Sequence, residues 1–326
     1  MKLFAFSQRL DELPYFEKFT RQYGIELGSC SKGPSLENAG LAAGYPCVSI
    51  ITTPIRPPLM DRLYAEGVRY ISTRTIGYDH IDLEHARKIG MGVGNVSYAP
   101  DSVADFTVML ILMAIRNIKA MTARAGVQDF SLPGLEGRCL SNQTVGVVGT
   151  GRIGQAVISR LAGFGCRILA CDPFAGPEGN PSLSYVDLET LLQESDIVTL
   201  HMPATPENYH MINRETLSQM KPDAILVNTA RGSLIDTDSL LDAIEEKIIG
   251  GAALDVIEDE RKLYYKDLRR EILKNRKLAV LKSHPNVIVT PHMAFYTDQS
   301  VSDMVEHSIQ SCRMFLNGGE NPWKIV

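Results

Sequence analysis

Thr144-Val145-Gly146-Val147-Val148-Gly149-Thr150-Gly151-Arg152-Ile153-Gly154 is the stretch that decides the fold. Gly149, Gly151 and Gly154 stand at the spacing GxGxxG, after an apolar run and before an amphipathic stretch at 155–164. Alone the pattern is a weak signal; a strand before it and a helix after it make it a dinucleotide-binding fingerprint. Gly149 permits the tight turn. Gly151 leaves the backbone bare for a pyrophosphate, and Gly154 lets helix and strand pack closely. The amides that open the helix lack intrahelical partners and face the phosphates. The next apolar run, 167–171, ends at Asp172, 18 residues beyond Gly154. A carboxylate there accepts hydrogen bonds from both ribose hydroxyls of the adenosine half and repels a 2′-phosphate. Pro173, Phe174 and Ala175 add no cation, so NAD is expected rather than NADP.

Working outward, apolar runs alternate with helical patterns along the whole chain. Residues 2–6, 47–51, 70–72 and 91–93 read as buried strands, separated by helical stretches at 11–23, 58–66 and 83–89. A second series begins at 144–148 and continues at 167–171, 197–201, 224–228, 251–255 and 287–290. Alternation of this kind implies parallel sheets covered by helices on both faces. Two doubly wound units are expected, with the ligand in the cleft between them. Residues 101–121 read as the joint: one helix, capped by Asp101, starting at Ser102 and apolar around most of its circumference. Such a helix must be buried on several sides, between domains, at a dimer interface or within one domain.

Three segments just past strands carry the chemistry. Arg231, in Asn228-Thr229-Ala230-Arg231-Gly232, can hold a carboxylate through its planar fork. His292, in Thr290-Pro291-His292, titrates near neutral pH and suits proton donation to a carbonyl oxygen as hydride reaches its carbon. A carboxylate on the far ring nitrogen would favour the imidazolium and fix the tautomer. The residues themselves leave Glu258 and Glu260 both open for that role. No metal is expected, since Arg231 and His292 already polarise the carbonyl. His80, His85, His210, His284 and His307 show no metal-ligand spacing and read as structural, while His201, following a strand, shapes the cofactor pocket.

Through these segments the chain resembles the D-2-hydroxyacid dehydrogenases, and among them the D-lactate dehydrogenases. The likeness runs through residues 71–82, 95–105, the glycine loop, 228–232 and 291–297. It implies that Arg231 binds substrate, that His292 is the acid/base and that Glu260, five residues after Asp255, is the partner of His292. It also implies substrate contacts from the amides of Ile76 and Gly77, from Tyr98 and Phe295, and from the loop 51–54 that holds Thr52. Cofactor contacts are implied at Gly149, Gly151, Arg152, Ile153, Gly154, Asp172, Val103, His201, Pro203, Thr229, Ala230 and Asp255. The implied architecture is a discontinuous, flavodoxin-like substrate domain (1–99 and 296–326) beside a Rossmann NAD-binding domain (100–295). A homodimer built on residues 101–121 is implied too. The insertion at 261–282 is a feature of the lactate branch; its nine basic residues against Asp267 and Glu271 read as a solvated helix. Across 101–117 the chain also resembles the lactate dehydrogenases of vancomycin-resistance clusters, from which Asp172 sets it apart. The expected reaction is NADH-dependent reduction of pyruvate to D-lactate. The departure of loop 51–54 from the common lactate pattern points to larger branched or aromatic 2-oxo acids as the alternative. A more remote one is an NADH-sensing corepressor, against which Arg231, Glu260 and His292 all argue.

Composition fits this reading. The 326 residues suit two domains. With 44% hydrophobic and 22% charged residues the chain is neither disordered nor a membrane bundle. A net charge of -5 argues against nucleic acid, whose phosphates draw clustered Lys and Arg. Six cysteines without a CxxC pair read as reduced thiols of a cytoplasmic protein. The opening Met1–Phe6 reads as a first strand, not a signal peptide, and no run reaches membrane-spanning length.

Overall fold

The computed structural model describes residues 1–174, 183–260, 263 and 265–326. They form two compact units, Met1–Ala99 with Tyr296–Val326, and Pro100–Phe295.

The first unit is a five-stranded sheet: β1 (Lys2–Ala5), β2 (Glu26–Ser29), β3 (Cys47–Ile50), β4 (Tyr70–Thr73) and β5 (Gly92–Gly94). Their order is β2-β1-β3-β4-β5, all parallel, the flavodoxin-like arrangement. Helices α1 (Leu13–Tyr23), α2 (Pro57–Ala65), α3 (Leu83–Ile89) and the late α11 (Asp298–Asn317) belong to this unit. The central strands β3 and β4 are buried at every position, as parallel strands covered on both faces must be. β2 is absent from the sequence expectation because Glu-Leu-Gly-Ser is a half-exposed edge with no apolar run.

The interior of this unit is not purely apolar. Arg74 and Glu12 are both fully buried, with Nε donating to Oε1 at 2.9 Å. Arg74 also donates to Ser49 Oγ at 2.9 Å and to the Phe6 carbonyl at 3.0 Å, and its guanidinium lies 5.2 Å from the Phe16 ring centre. Nearby, Ser308 of α11 donates to Ser72 at 2.9 Å and lies 2.6 Å from Ser49. Buried polar groups survive only when bonded this fully.

The second unit is a seven-stranded parallel sheet. It contains β6 (Thr144–Val148), β7 (Arg167–Cys171), β8 (Leu183–Tyr185), β9 (Ile197–Leu200), β10 (Ile225–Asn228), β11 (Gly251–Leu254) and β12 (Val287–Val289), with helices α7 (Leu188–Glu194), α8 (Arg214–Ser218) and α9 (Thr237–Glu245) among its connections. The order β12-β11-β10-β9-β6-β7-β8 is that of the Rossmann fold, with the switch point between β6 and β9. Alternate residues of each strand enter opposite cores: Val145 and Val147 lie on one side and Val148 on the other, as do Ile225 and Val227 against Leu226. β8, again an edge strand, is missing from the expectation for the same reason as β2.

The expected single helix at 101–121 is two, α4 (Asp101–Ile115) and α5 (Ile118–Ala125), bent by 65°. The break falls at Asn117, left-handed at φ 52 and tied by its side-chain amide to the Glu136 carbonyl at 2.9 Å. Asn accepts that conformation better than any β-branched residue. Nor is Asp101 the cap: Pro100 holds that position, and the Asp101 carboxylate accepts from Arg160 at 2.7 Å. Val103, Ala104, Val108, Leu110, Ile111 and Ile115 of α4 are buried within this unit, each large aliphatic contributing about 2 kcal/mol by removal from water. No single helix among the described residues is long and apolar enough to cross a membrane.

The insertion also differs from expectation. Residues 261, 262 and 264 lie outside the described residues; beyond them only α10 (Arg276–Ser283) is helical. Leu263 and Leu278 pack on the core, so this segment is partly anchored rather than a fully solvated helix.

Candidate active site

The glycine loop leaves β6 with Gly149 at φ +91, where a side chain would be strained, and Gly149 N donates to the Cys171 carbonyl at 2.8 Å. Helix α6 (Arg152–Ala162) starts three residues earlier than its amphipathic pattern suggests, so Arg152, Ile153 and Gly154 form its first turn. A methyl at Gly154 would strike the Gly149 carbonyl, whereas one at Gly151 would meet nothing within 4 Å. Gly151 caps the helix without a side-chain hydrogen bond. A bare approach above an uncapped helix N-terminus is the cradle a pyrophosphate requires.

Asp172 stands just past β7 and accepts from the amides of Thr150 at 2.6 Å and Phe174 at 2.8 Å. Burial would raise its pKa, but these hydrogen bonds outweigh burial and hold the carboxyl below its usual value. The group is thus ionised, as the expected role at the adenosine ribose requires; Ala175, named with Pro173 and Phe174 as adding no cation, lies outside the described residues. His201 follows β9, with Nε2 2.9 Å from Thr199 Oγ1. Burial of its ring lowers its pKa to about 3, so it is neutral at physiological pH. Pro203 is exposed on the loop beyond. Val103 is buried on α4, where Thr107 bonds the Thr229 hydroxyl at 2.8 Å.

Arg231 is half-buried at the turn after β10. Fully buried Asn228 braces that turn: its amide donates to the Arg231 carbonyl at 2.8 Å and its oxygen accepts from Ala230 N at 2.9 Å. Gly232 follows because a Cβ there would sit 2.1 Å from the Ile257 backbone. The Arg231 turn is thereby pressed against the segment that carries Glu258 and Glu260.

Glu260 Oε1 lies 3.2 Å from His292 Nδ1, and its Oε2 accepts from the Ile257 amide at 2.8 Å. Their side chains are 15% and 28% exposed, so the pair is sheltered yet reachable. Glu258 faces elsewhere, with Oε1 2.6 Å from His210 Nε2 and Oε2 accepting from the Thr237 hydroxyl at 2.6 Å. That division separates the two glutamates that the residues alone left open. His292 sits at φ 54, a conformation non-glycine residues adopt reluctantly. Asp255 enforces it. The His292 amide donates to its carbonyl at 2.8 Å, and its carboxylate accepts from Thr290 Oγ1 at 2.5 Å and from the amides of Met293 and Ala294 at 2.9 Å each. Asp255, which the family resemblance puts among the cofactor contacts, is 1% exposed and holds the His292 turn. Phe295 packs edge-on to His292, ring centres 6.2 Å apart, and is itself 7% exposed.

In the first unit, Ile76 and Gly77 follow β4. The Ile76 carbonyl accepts from Asn95 at 2.8 Å and that of Gly77 from Thr75 at 2.6 Å. A trans peptide places N–H opposite C=O, so the bond to Ile76 O turns the Gly77 amide the other way. Thr52 is exposed beyond β3 and Tyr98 half-buried beyond β5, the two strands that flank β4.

A sequence model described as "D-isomer specific 2-hydroxyacid dehydrogenase, NAD binding domain" matches residues 108–294. The chain belongs to the D-2-hydroxyacid dehydrogenase family. It is 44% identical over 306 residues to a D-specific alpha-keto acid dehydrogenase of Enterococcus faecium, covering 94% of each chain. It is 40% identical over 320 residues to an aromatic 2-oxoacid reductase of Clostridium sporogenes, covering 97% of this chain and 96% of the relative. Among solved structures, a D-lactate dehydrogenase from Treponema pallidum superposes with a TM-score of 0.90 at 32% identity, over the full length of both. As a member of this family the protein is an NAD-dependent D-2-hydroxyacid dehydrogenase that reduces 2-oxo acids.

His210, which reads as structural in the sequence, joins a cluster of this dehydrogenase. Among the described residues, ligand-type atoms of His210, Asp236 and Glu258 are the one such group drawn within 4.8 Å of one another. Their carboxylates accept from Thr237, from Ser239 at 2.5 Å and from the Asp238 amide at 3.2 Å, so the group is a hydrogen-bonded cluster. His210 and Glu258 are 48 residues apart, and only the fold brings them together.

Proposed function

We propose that this dehydrogenase reduces pyruvate to D-lactate, with Arg231 holding the substrate carboxylate, His292 protonating the carbonyl oxygen and Glu260 sustaining the imidazolium. Bound NADH supplies the hydride. The observation that carries the reading is the His292–Glu260 contact of 3.2 Å on a strained, fully braced turn. A carboxylate on Nδ1 keeps a proton there, leaves Nε2 as the atom that gives and takes the catalytic proton, and favours the charged ring. Arg231 offers two parallel donors to a planar carboxylate, a geometry an ammonium lacks. We assign to substrate, by family resemblance, the amides of Ile76 and Gly77 and the side chains of Thr52, Tyr98 and Phe295.

His292 must carry a proton for reduction and lack one for oxidation, so the pH optimum for reduction lies below that for oxidation. His292→Ala lowers kcat by about 10²-fold or more with NADH affinity retained. Arg231→Lys raises KM for the oxo acid and lowers kcat. NADH oxidation is measured with pyruvate, 2-oxoisocaproate and phenylpyruvate. Near wild-type turnover in His292→Ala refutes the site, and a higher kcat/KM for phenylpyruvate transfers the assignment to aromatic 2-oxo acids. That second reading draws on the name of the Clostridium relative and on loop 51–54.

The enzyme is proposed to be a cytoplasmic homodimer. Met109, Met121 and Phe164, 39%, 36% and 41% exposed around α4 and α5, supply an apolar strip for a second copy, and the six cysteines are free thiols. Sedimentation of wild type and Met109→Glu tests the dimer.

A further inference from the structure

The Ile257–Glu260 turn is closed on one side by Glu260, whose Oε2 takes the Ile257 amide at 2.8 Å, with Asp259 left-handed at φ 57 between Glu258 and Glu260. Glu258 projects from the same turn into the His210 cluster. Its Oε1 lies 2.6 Å from His210 Nε2, while Oε2 accepts from Thr237 N at 3.1 Å and from Thr237 Oγ1 at 2.6 Å. His210 is anchored to the Arg231 side as well: its amide donates to the Ser233 carbonyl at 2.9 Å, and Ile212 N to Leu234 O at 3.0 Å. Gly232 packs against Ile257 and Glu258 with no room for a methyl. Three distant pieces of chain meet here, and two of them carry Arg231 and Glu260.

We propose that Glu258, gripped by His210 and Thr237, is a positioning residue that sets the Glu260 carboxylate against His292 and the Arg231 turn against both. This rests on the assignment of Arg231, Glu260 and His292 above. The geometry is selective. Glu258 is two residues from Glu260, and its hydrogen bonds run to His210 and Thr237. His210 holds both neighbouring segments, one through its backbone and one through its ring. Its ring stacks on Tyr209 with centres 3.9 Å apart, which limits where Nε2 can point. Beyond Glu258, Asp236 faces His210, and Lys277, paired with Asp238 at 2.9 Å, adds a positive charge near Glu258 and Asp236. Burial works against an ionised Glu258, but the Thr237 and His210 bonds outweigh it and lower its pKa. The clasp is therefore charge-assisted, the stronger kind of hydrogen bond.

Releasing the clasp lets Glu260 drift from Nδ1. The imidazolium then loses the carboxylate that sustains it during proton transfer. In Glu258→Gln, kcat for pyruvate reduction falls about tenfold or more, as misplacing reacting groups by an ångström does. KM changes little, and the high-pH limb of kcat moves to lower pH. His210→Ala behaves alike, and His210→Gln, which keeps a donor, recovers part of the loss. If Glu258→Gln fails to fold, Thr237→Val removes one of the same bonds and is read in its place. Melting temperature is recorded alongside. A lower melting temperature with kcat per folded site and the pH limb both unchanged overturns the clasp. His292→Ala and Glu260→Gln are run in parallel. If they are inactive while the Glu258 and His210 variants match wild type, the clasp alone is wrong; if His292→Ala is active, the site assignment falls and the clasp with it.

Discussion

A methyl group at position 154 would stand 2.0 Å from the Gly149 carbonyl oxygen, a backbone atom that cannot swing aside. Gly154→Ala therefore forces helix α6 away from its loop, costing about 1–3 kcal/mol as overpacking does. NADH affinity falls with it, seen by thermal melting and by fluorescence titration. This was legible in advance, because the fingerprint assigns each glycine a task. His201 shows what was not. Its imidazole takes a proton only near pH 3 in the fold, against 6.5 for the free side chain. As pH falls, the unfolded chain binds that proton first, so stability is complete above the free value and is lost towards the folded one. His201→Asn should lose less melting temperature than wild type between about pH 7 and about pH 4. Asp255 is implied as a cofactor contact by the family resemblance alone, and its part in the His292 turn is not written in the sequence. Its partners are backbone amides of Met293 and Ala294, which no residue pattern displays.

At the scale of elements, the buried strands were readable as apolar runs, and their alternation with helices gave the fold class. The edges were not: β2 and β8 are short and half-exposed, held by one neighbour each. Apolar patterning also runs through Asn117, so α4 and α5 read as one helix. What separates them is a single left-handed residue, which periodicity does not register. Asn117→Val, β-branched at φ 52, should destabilise the protein by about 1–2 kcal/mol, while Asn117→Gly should be neutral or better. Chemical denaturation of the two variants checks both signs. The contact between Glu258 and His210 escaped for a different reason. Each residue sits in an ordinary loop, and their meeting depends on the Ile212 bridge to Ile235 and on the tight seat of Gly232.

In the molecule as a whole, the polar knot at Arg74 is the most exacting packing in the first unit. Glu12→Ala leaves a fully buried guanidinium without its carboxylate, a loss of about 3–5 kcal/mol. Calorimetry should show it as a lowered transition of the Met1–Ala99 and Tyr296–Val326 unit, with NADH still raising the transition of Pro100–Phe295. The composition of that first unit also bears on how the chain is made. Its sheet ends on β5, where Ile325 and Val326 hydrogen-bond to Val93 and Asn95 to Trp323, while α11 seals Ser49 and Ser72. All of Pro100–Phe295 is translated between these two halves, which takes roughly 10–40 s at 5–20 residues per second. Throughout that interval the nascent strands β1 to β5 have left the ribosome without their covering helix. The nucleotide-binding unit can complete itself first, and the strands made before it are buried after it. Chaperone attention should therefore concentrate on the first hundred or so residues, and mutations in α11 should lower yield during synthesis more than they weaken the finished enzyme.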